Sequence, residues 1–152
     1  MIDGIIYNTV IKKWEIVLDT NVLVAALRFK RGASNKLLSM IDSGKFQIAI
    51  SVPLLIEYED VLKRELLHIP LNRDEINDIL DCLCALADKK EIYFLWRPFL
   101  KDPKDDMVLE LAVESRSNYI VTHNVNDFKR IKRFNVMAIK PKDFLKLIGE
   151  KK

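Results

Sequence analysis

A chain of 152 residues, 49% of them hydrophobic, is long enough to bury one core and too short to divide comfortably into two. Its 25 basic and 22 acidic residues leave a net charge of +3, too small to identify a nucleic-acid binder without regard to where the charges fall. Only His68 and His123 offer imidazoles, which argues against a zinc site. Cys82 and Cys84 stand two apart in a helical pattern and point in different directions, so neither a disulfide nor a zinc knuckle fits; they read as small apolar fillers. No apolar run approaches the ~20 residues of a membrane span, and the N-terminus lacks the basic start and cleavage site of a secretory signal, so a cytoplasmic protein is expected.

Residues 1–14 carry the weakest pattern and read as an extension before a single domain over 15–148. That domain opens on "EIVL" (15–18), whose continuous apolar run suits a strand covered on both faces. Thr20 or Asn21 then caps a helix to about residue 27. Ser34 starts a second helix over 36–41, which Gly44 ends, and "FQIAIS" (46–51) is the next strand. Pro53 occupies a first helical turn, where no N–H is required, and opens a helix to about residue 67. "HIPLN" breaks it. Asn72 with Glu75 forms a capping box for a helix to about residue 87, and "IYFLW" (92–96) reads as a strand or as an extended segment before Pro98. "DDMVLELAVESR" (105–116) is helical, "YIVT" (119–122) and "VMAI" (136–139) are strands, Pro141 opens a last helix, and 149–152 form a tail. Strands alternating with helices predict the α/β class: a three-layer α/β/α sandwich around a mostly parallel central sheet. Sites in such sheets collect at the carboxyl ends of the strands, where Asp19, Ser51 and Thr122 fall.

The acids near those ends carry the chemistry. Asp19 follows three apolar strand residues, and local sequence serves two readings, a helix cap or a functional carboxylate. In the helix opened by Pro53, Leu54, Tyr58, Val61, Leu62 and Leu66 form one stripe, with Glu57 and Glu59 on its opposite borders; periodicity does not choose between them. Asp105 and Asp106 fall at the start of a helix after the Pro103 loop. The helix dipole explains one acid there well and a second less well. In "THNVNDF", Asn124 is placed to cap a short turn that contains Asp127. Four such places can meet at one edge of a parallel sheet, where gathered carboxylates repel and tend to protonate unless compensated. A hard divalent cation with oxygen ligands supplies that compensation, and over a phosphodiester it makes a bound water nucleophilic near neutral pH.

"VLDTNVLV", "SVPLLIEYEDVL", "DPKDDMVLELA" and "YIVTHNVNDF", in that order and spacing, resemble the PIN domain, and within it the VapC-like toxin branch. The resemblance covers roughly residues 15–145. It implies a PIN-like α/β/α fold, a Mg2+- or Mn2+-dependent ribonuclease, a cognate antitoxin protein as partner and a homodimer. It places the first acid on Asp19, with Thr20 and Asn21 as companions, and the second on Glu57. The third falls on Asp105 or Asp106: counting back from Ala112 favours Asp105, and the doubled acid keeps Asp106 in contention. The fourth position, after Thr122, holds Asn124 instead of an acid, with Asp127 three residues on as a substitute.

Two basic runs suit an RNA substrate: "RFKR" (28–31), with Arg28, Lys30 and Arg31, and "FKRIKRF" (128–134), with Lys129, Arg130, Lys132 and Arg133. Cations supply phosphate affinity, and exposed Phe rings can stack unpaired bases. The plainer reading is a solvated surface with Phe in the core. A phosphatase of the haloacid dehalogenase type would need an acid where Asn21 stands, and a signalling receiver an acid where Ser51 stands. The serious rival is a PIN-like module that binds RNA or a protein partner without cutting.

Overall fold

The computed structural model describes residues 14–92 and 99–149. Five strands, β1 (Trp14–Leu18), β2 (Phe46–Ile50), β3 (Asp88–Lys89), β4 (Tyr119–Val121) and β5 (Met137–Ile139), form one sheet in the order β3-β2-β1-β4-β5, every neighbouring pair parallel. Helices α1 (Thr20–Arg28), α2 (Ala33–Ser39), α3 (Val52–Arg64), α4 (Arg73–Leu86), α5 (Pro103–Glu114) and α6 (Pro141–Leu147) flank it. Together they make the layered α/β arrangement expected, with a wholly parallel sheet in place of a mostly parallel one. Helix α5 lies along β1, β2 and β4 and meets α3, while α2 packs against both α1 and α6.

Burial explains the strands. Ile16, Val17, Ile120 and Val121 are fully buried, as a central strand covered on both faces demands. Each such side chain contributes about 1.5–3 kcal/mol, more than a helix cap at about 1 kcal/mol, so burial places the elements and the caps set their ends. Those caps are side chains: Ser51 accepts from Leu54 N (3.3 Å), Asn72 and Glu75 exchange both bonds of a capping box (2.9 Å each), and Asp102 accepts from Lys104 N (2.9 Å). Gly44, at φ 85°, makes the left-handed turn into β2 that a residue with a Cβ would strain.

Three expectations are corrected. Asp19, not Thr20 or Asn21, caps α1, because its carboxylate accepts from Thr20 N. A strand not expected at Asp88–Lys89 follows α4 directly, paired with Ala49 and Ile50; the strand expected over 92–96 falls, apart from Ile92, outside the described residues. Cys82 is exposed and only Cys84 is partly buried, so Cys82 fills no core. No helix among the described residues is long and apolar enough to cross a membrane.

Candidate active site

The chain leaves β1 for β2 and β3 on one side of the sheet and returns to β4 and β5 on the other, so the direction of winding reverses between β1 and β4. Crevices for ligands open above such a reversal, at the carboxyl ends of the two strands. Asp19 follows β1 there and Thr122 follows β4. Their strands are in register, with Asp19 N donating to Val121 O at 2.9 Å. Across the crevice, Thr122 Oγ1 donates to Asp19 Oδ2 at 2.7 Å, while Thr20 N (2.8 Å) and Asn21 Nδ2 (3.3 Å) donate to the same carboxylate. Asn21 Oδ1 in turn accepts from His123 N (3.2 Å), and Thr122 Oγ1 accepts from Asn124 N (3.0 Å). Thr20, Asn21, Thr122 and Asn124 therefore hold the first acid and the loop after β4 in one network. His123 Nε2 lies 2.9 Å from Oγ of the buried Ser34, a further tie between that loop and α2.

Beneath Asp19, the buried Tyr58 donates its hydroxyl to Leu18 O at 2.5 Å. Burial and the nearby Asp19 charge push its phenol well above the ordinary value, so it remains a neutral donor. Tyr58→Phe is expected to cost about 1 kcal/mol, a fall of about 2–4 °C in Tm, read by thermal unfolding.

Asp19 has its pKa raised: burial raises it most, the Thr122 and Thr20 hydrogen bonds oppose, and the charges of Asp127 and Asp102 add to the rise. Asp105, in the first turn of α5, is pushed up to about 7 by burial and then by Asp19, Asp102, Asp127 and Asp106. Five acids from three segments, Asp19, Asp102, Asp105, Asp106 and Asp127, thus share in the charge felt by Asp19 and Asp105 at the crevice. Asp102, directly before Pro103 and one of the acids that the sequence groups with Asp105 and Asp106, caps α5 and adds charge to both Asp19 and Asp105. A cleft of about 390 Å³, lined by Asp102, Asp105, Asn126, Asp127, Lys129 and Arg130, opens beside them.

Helix packing separates Glu57 from Glu59. Glu57 lies on the side of α3 that reaches α5, 15% exposed, with Oε2 3.5 Å from Lys104 Nζ, whereas Glu59 is 48% exposed and pairs with Lys63 at 2.7 Å. Asp106 is fully buried and accepts from Leu100 N (2.8 Å) and Phe99 N (3.3 Å), so its lone pairs face the backbone before α5. Asn124 begins the 3-10 turn Val125–Phe128 without the side-chain cap expected of it, and that turn carries Asp127.

The two basic runs differ in place. Arg28, Lys30 and Arg31 lie at the far end of the nine-residue α1, about 13 Å along the axis from Asp19; Arg28 stacks on Phe29, which is 55% exposed. The 129–133 run adjoins the cleft, with Lys132 and Arg133 in a second 3-10 turn, Lys132–Phe134. Its phenylalanines are not free to stack bases: Phe128 is buried in the core and Phe134 packs edge-on to Phe99 at 5.2 Å.

The acids offer hard oxygen donors, and their charges raise the pKa of Asp19 and Asp105, which suits a divalent cation. Among the described residues no three His, Cys, Asp or Glu side chains already converge as a finished metal site.

A PIN domain family model matches residues 15–126, and the chain belongs to that family. Among solved structures, one chain of VapBC2 from Rickettsia felis, in the crystal structure bound to a DNA fragment from their promoter, matches with a TM-score of 0.58 and 17% identity, over 83% of this chain and 98% of that one. The likeness is one of fold. No curated protein sequence gives a significant match.

Proposed function

We propose that this PIN domain is a divalent-metal-dependent endoribonuclease and the toxin of a toxin–antitoxin pair. The observation that carries the reading is the gathering of Asp19, Asp102, Asp105 and Asp127 at the β1/β4 reversal, where burial first and the neighbouring carboxylates after it raise the pKa of Asp19 and Asp105, so that hard donors stand at the place where an open sheet binds ligands. Asp19, Glu57 and Asp105 would hold Mg2+ or Mn2+, with Asp127 in the fourth position, since its charge and not the neutral Asn124 bears on Asp19 and Asp105. When bound, the cation lowers the pKa of a water and steadies charge on the phosphate. The chain's own part is to fix Asp19 through Thr122, Thr20 and Asn21, and to meet the RNA backbone with the cations rimming the cleft, Lys129 foremost.

VapBC2 is a complex, and its fold likeness supports an antitoxin partner here. So does the apolar face of α3, where Val52 and Ile56 are 69% and 59% exposed on the helix that bears Glu57. Purified protein incubated with single-stranded RNA should cleave it with Mg2+ or Mn2+ and stop when EDTA is added. RNA that stays intact with either metal, while the folded protein still retains RNA on a gel, would favour the rival reading of a binding module.

A further inference from the structure

Phe99 is fastened by contacts from two segments that also carry the acids of the site. Its N–H and that of Leu100 donate to Asp106, its carbonyl accepts from Arg130 Nη1 at 3.3 Å, and its ring lies under two guanidinium groups, Arg130 at 4.9 Å and Arg133 at 4.8 Å, with Phe134 edge-on at 5.2 Å. Asp106 adjoins Asp105 on α5. Arg130 follows Asp127 by three residues. The two segments that carry these mutually repelling acids are therefore joined through one residue, on one side by buried charge-assisted hydrogen bonds and on the other by a stacked, hydrogen-bonded guanidinium.

We propose that Asp106 and Arg130 are positioning residues: through Phe99 they form a clasp that sets the spacing of Asp105 from Asp127 and so the affinity of the site for a divalent cation. This assigns Asp106 a role other than ligand and Arg130 a role other than RNA contact, and it rests on the metal-nuclease reading. Groups that orient ligands without touching the ion typically change its affinity 10–100-fold.

The test is calorimetric titration of Mn2+ into RNA-free protein. Arg130→Ala should weaken Mn2+ binding about tenfold. Arg130→Lys should not restore it, because an ammonium lacks the planar fork that stacks and donates together. In an Asp127→Asn background the same Arg130→Ala change should cost little more, the non-additivity expected when one residue acts through another. Asp106→Asn, with its fold checked by circular dichroism, should resemble Arg130→Ala and retain measurable Mn2+ binding. The clasp is overturned if Arg130→Ala leaves Mn2+ affinity unchanged and instead weakens metal-free RNA binding in a salt-dependent way, or if its effect adds fully to that of Asp127→Asn. If wild-type protein takes up no Mn2+, the nuclease reading falls separately, and amide exchange then decides the clasp alone: faster exchange at Phe99 and Leu100 in Arg130→Ala supports the fastening, and unchanged exchange removes it.

Discussion

Asp19→Asn is expected to abolish metal-dependent RNA cleavage, to below a thousandth of the wild-type rate, or about 4 kcal/mol of barrier. The expectation follows from where Asp19 sits and what holds it. It stands at the β1/β4 reversal, within the charge field of Asp102, Asp105 and Asp127. An amide keeps an acceptor for Thr20 N, so the α1 cap survives, and the Thr122 hydroxyl can turn to accept from the new NH2 group. What is lost is the charge. The same variant should lose the stabilisation that metal confers: at a hundred times Kd, bound Mn2+ adds about 2.7 kcal/mol to wild type, a rise of roughly 5–10 °C in Tm, and nothing comparable to Asp19→Asn. Unaltered cleavage by folded Asp19→Asn protein would remove Asp19 from the mechanism.

Why Asp19 was legible from sequence and its partners less so is a matter of range. The apolar run, the acid and the helix after it are contiguous, and the parallel sheet that turns this into a crevice follows from the alternation of elements. Glu57 and Glu59 flank one buried stripe, Leu54, Tyr58 and Leu62, so periodicity does not choose between them, and in the fold the approach of α5, bringing Lys104 beside Glu57, distinguishes them. The same holds for Asp105 and Asp106. Successive residues at a helix start point about 100° apart, and which one faces the acids depends on where the 99–100 turn passes, a tertiary fact that no local pattern encodes. Strand β3, two residues long, exists because Ala49 and Ile50 are there to pair with it. The phenylalanines of the 128–134 run look exposed among their cations, yet Phe128 is core and Phe134 serves Phe99, because charged neighbours on a tight turn do not prevent the alternate residues from pointing inward.

Asp105→Asn should separate function from stability. The folded protein raises the Asp105 pKa from 3.8 to about 7, burial first and the surrounding acids after it. Between those values the folded state holds a proton that the unfolded state has released, so stability is greatest below the lower value and falls as pH rises through the upper one. The amide variant escapes this loss. At pH 8 and without metal it should be more stable than wild type by about 1 kcal/mol, a figure discounted from the full shift because Asp105 is only half-buried and solvent screens it, or about 2–4 °C in Tm. Near pH 4 the two proteins should melt together. Added Mn2+ should then reverse the order at pH 8, since wild type gains a ligand and the variant does not. Thermal melts across pH, with and without Mn2+, check both halves. A variant that melts below wild type at pH 8 without metal would show that Asp105 is not held against its neighbours' charge, and one that still gains from Mn2+ as wild type does would move the third ligand away from Asp105. The two outcomes are independent because the first reads repulsion among the carboxylates and the second reads what relieves it. An acid kept at a cost to the metal-free fold is what a site built to be completed by a cation requires.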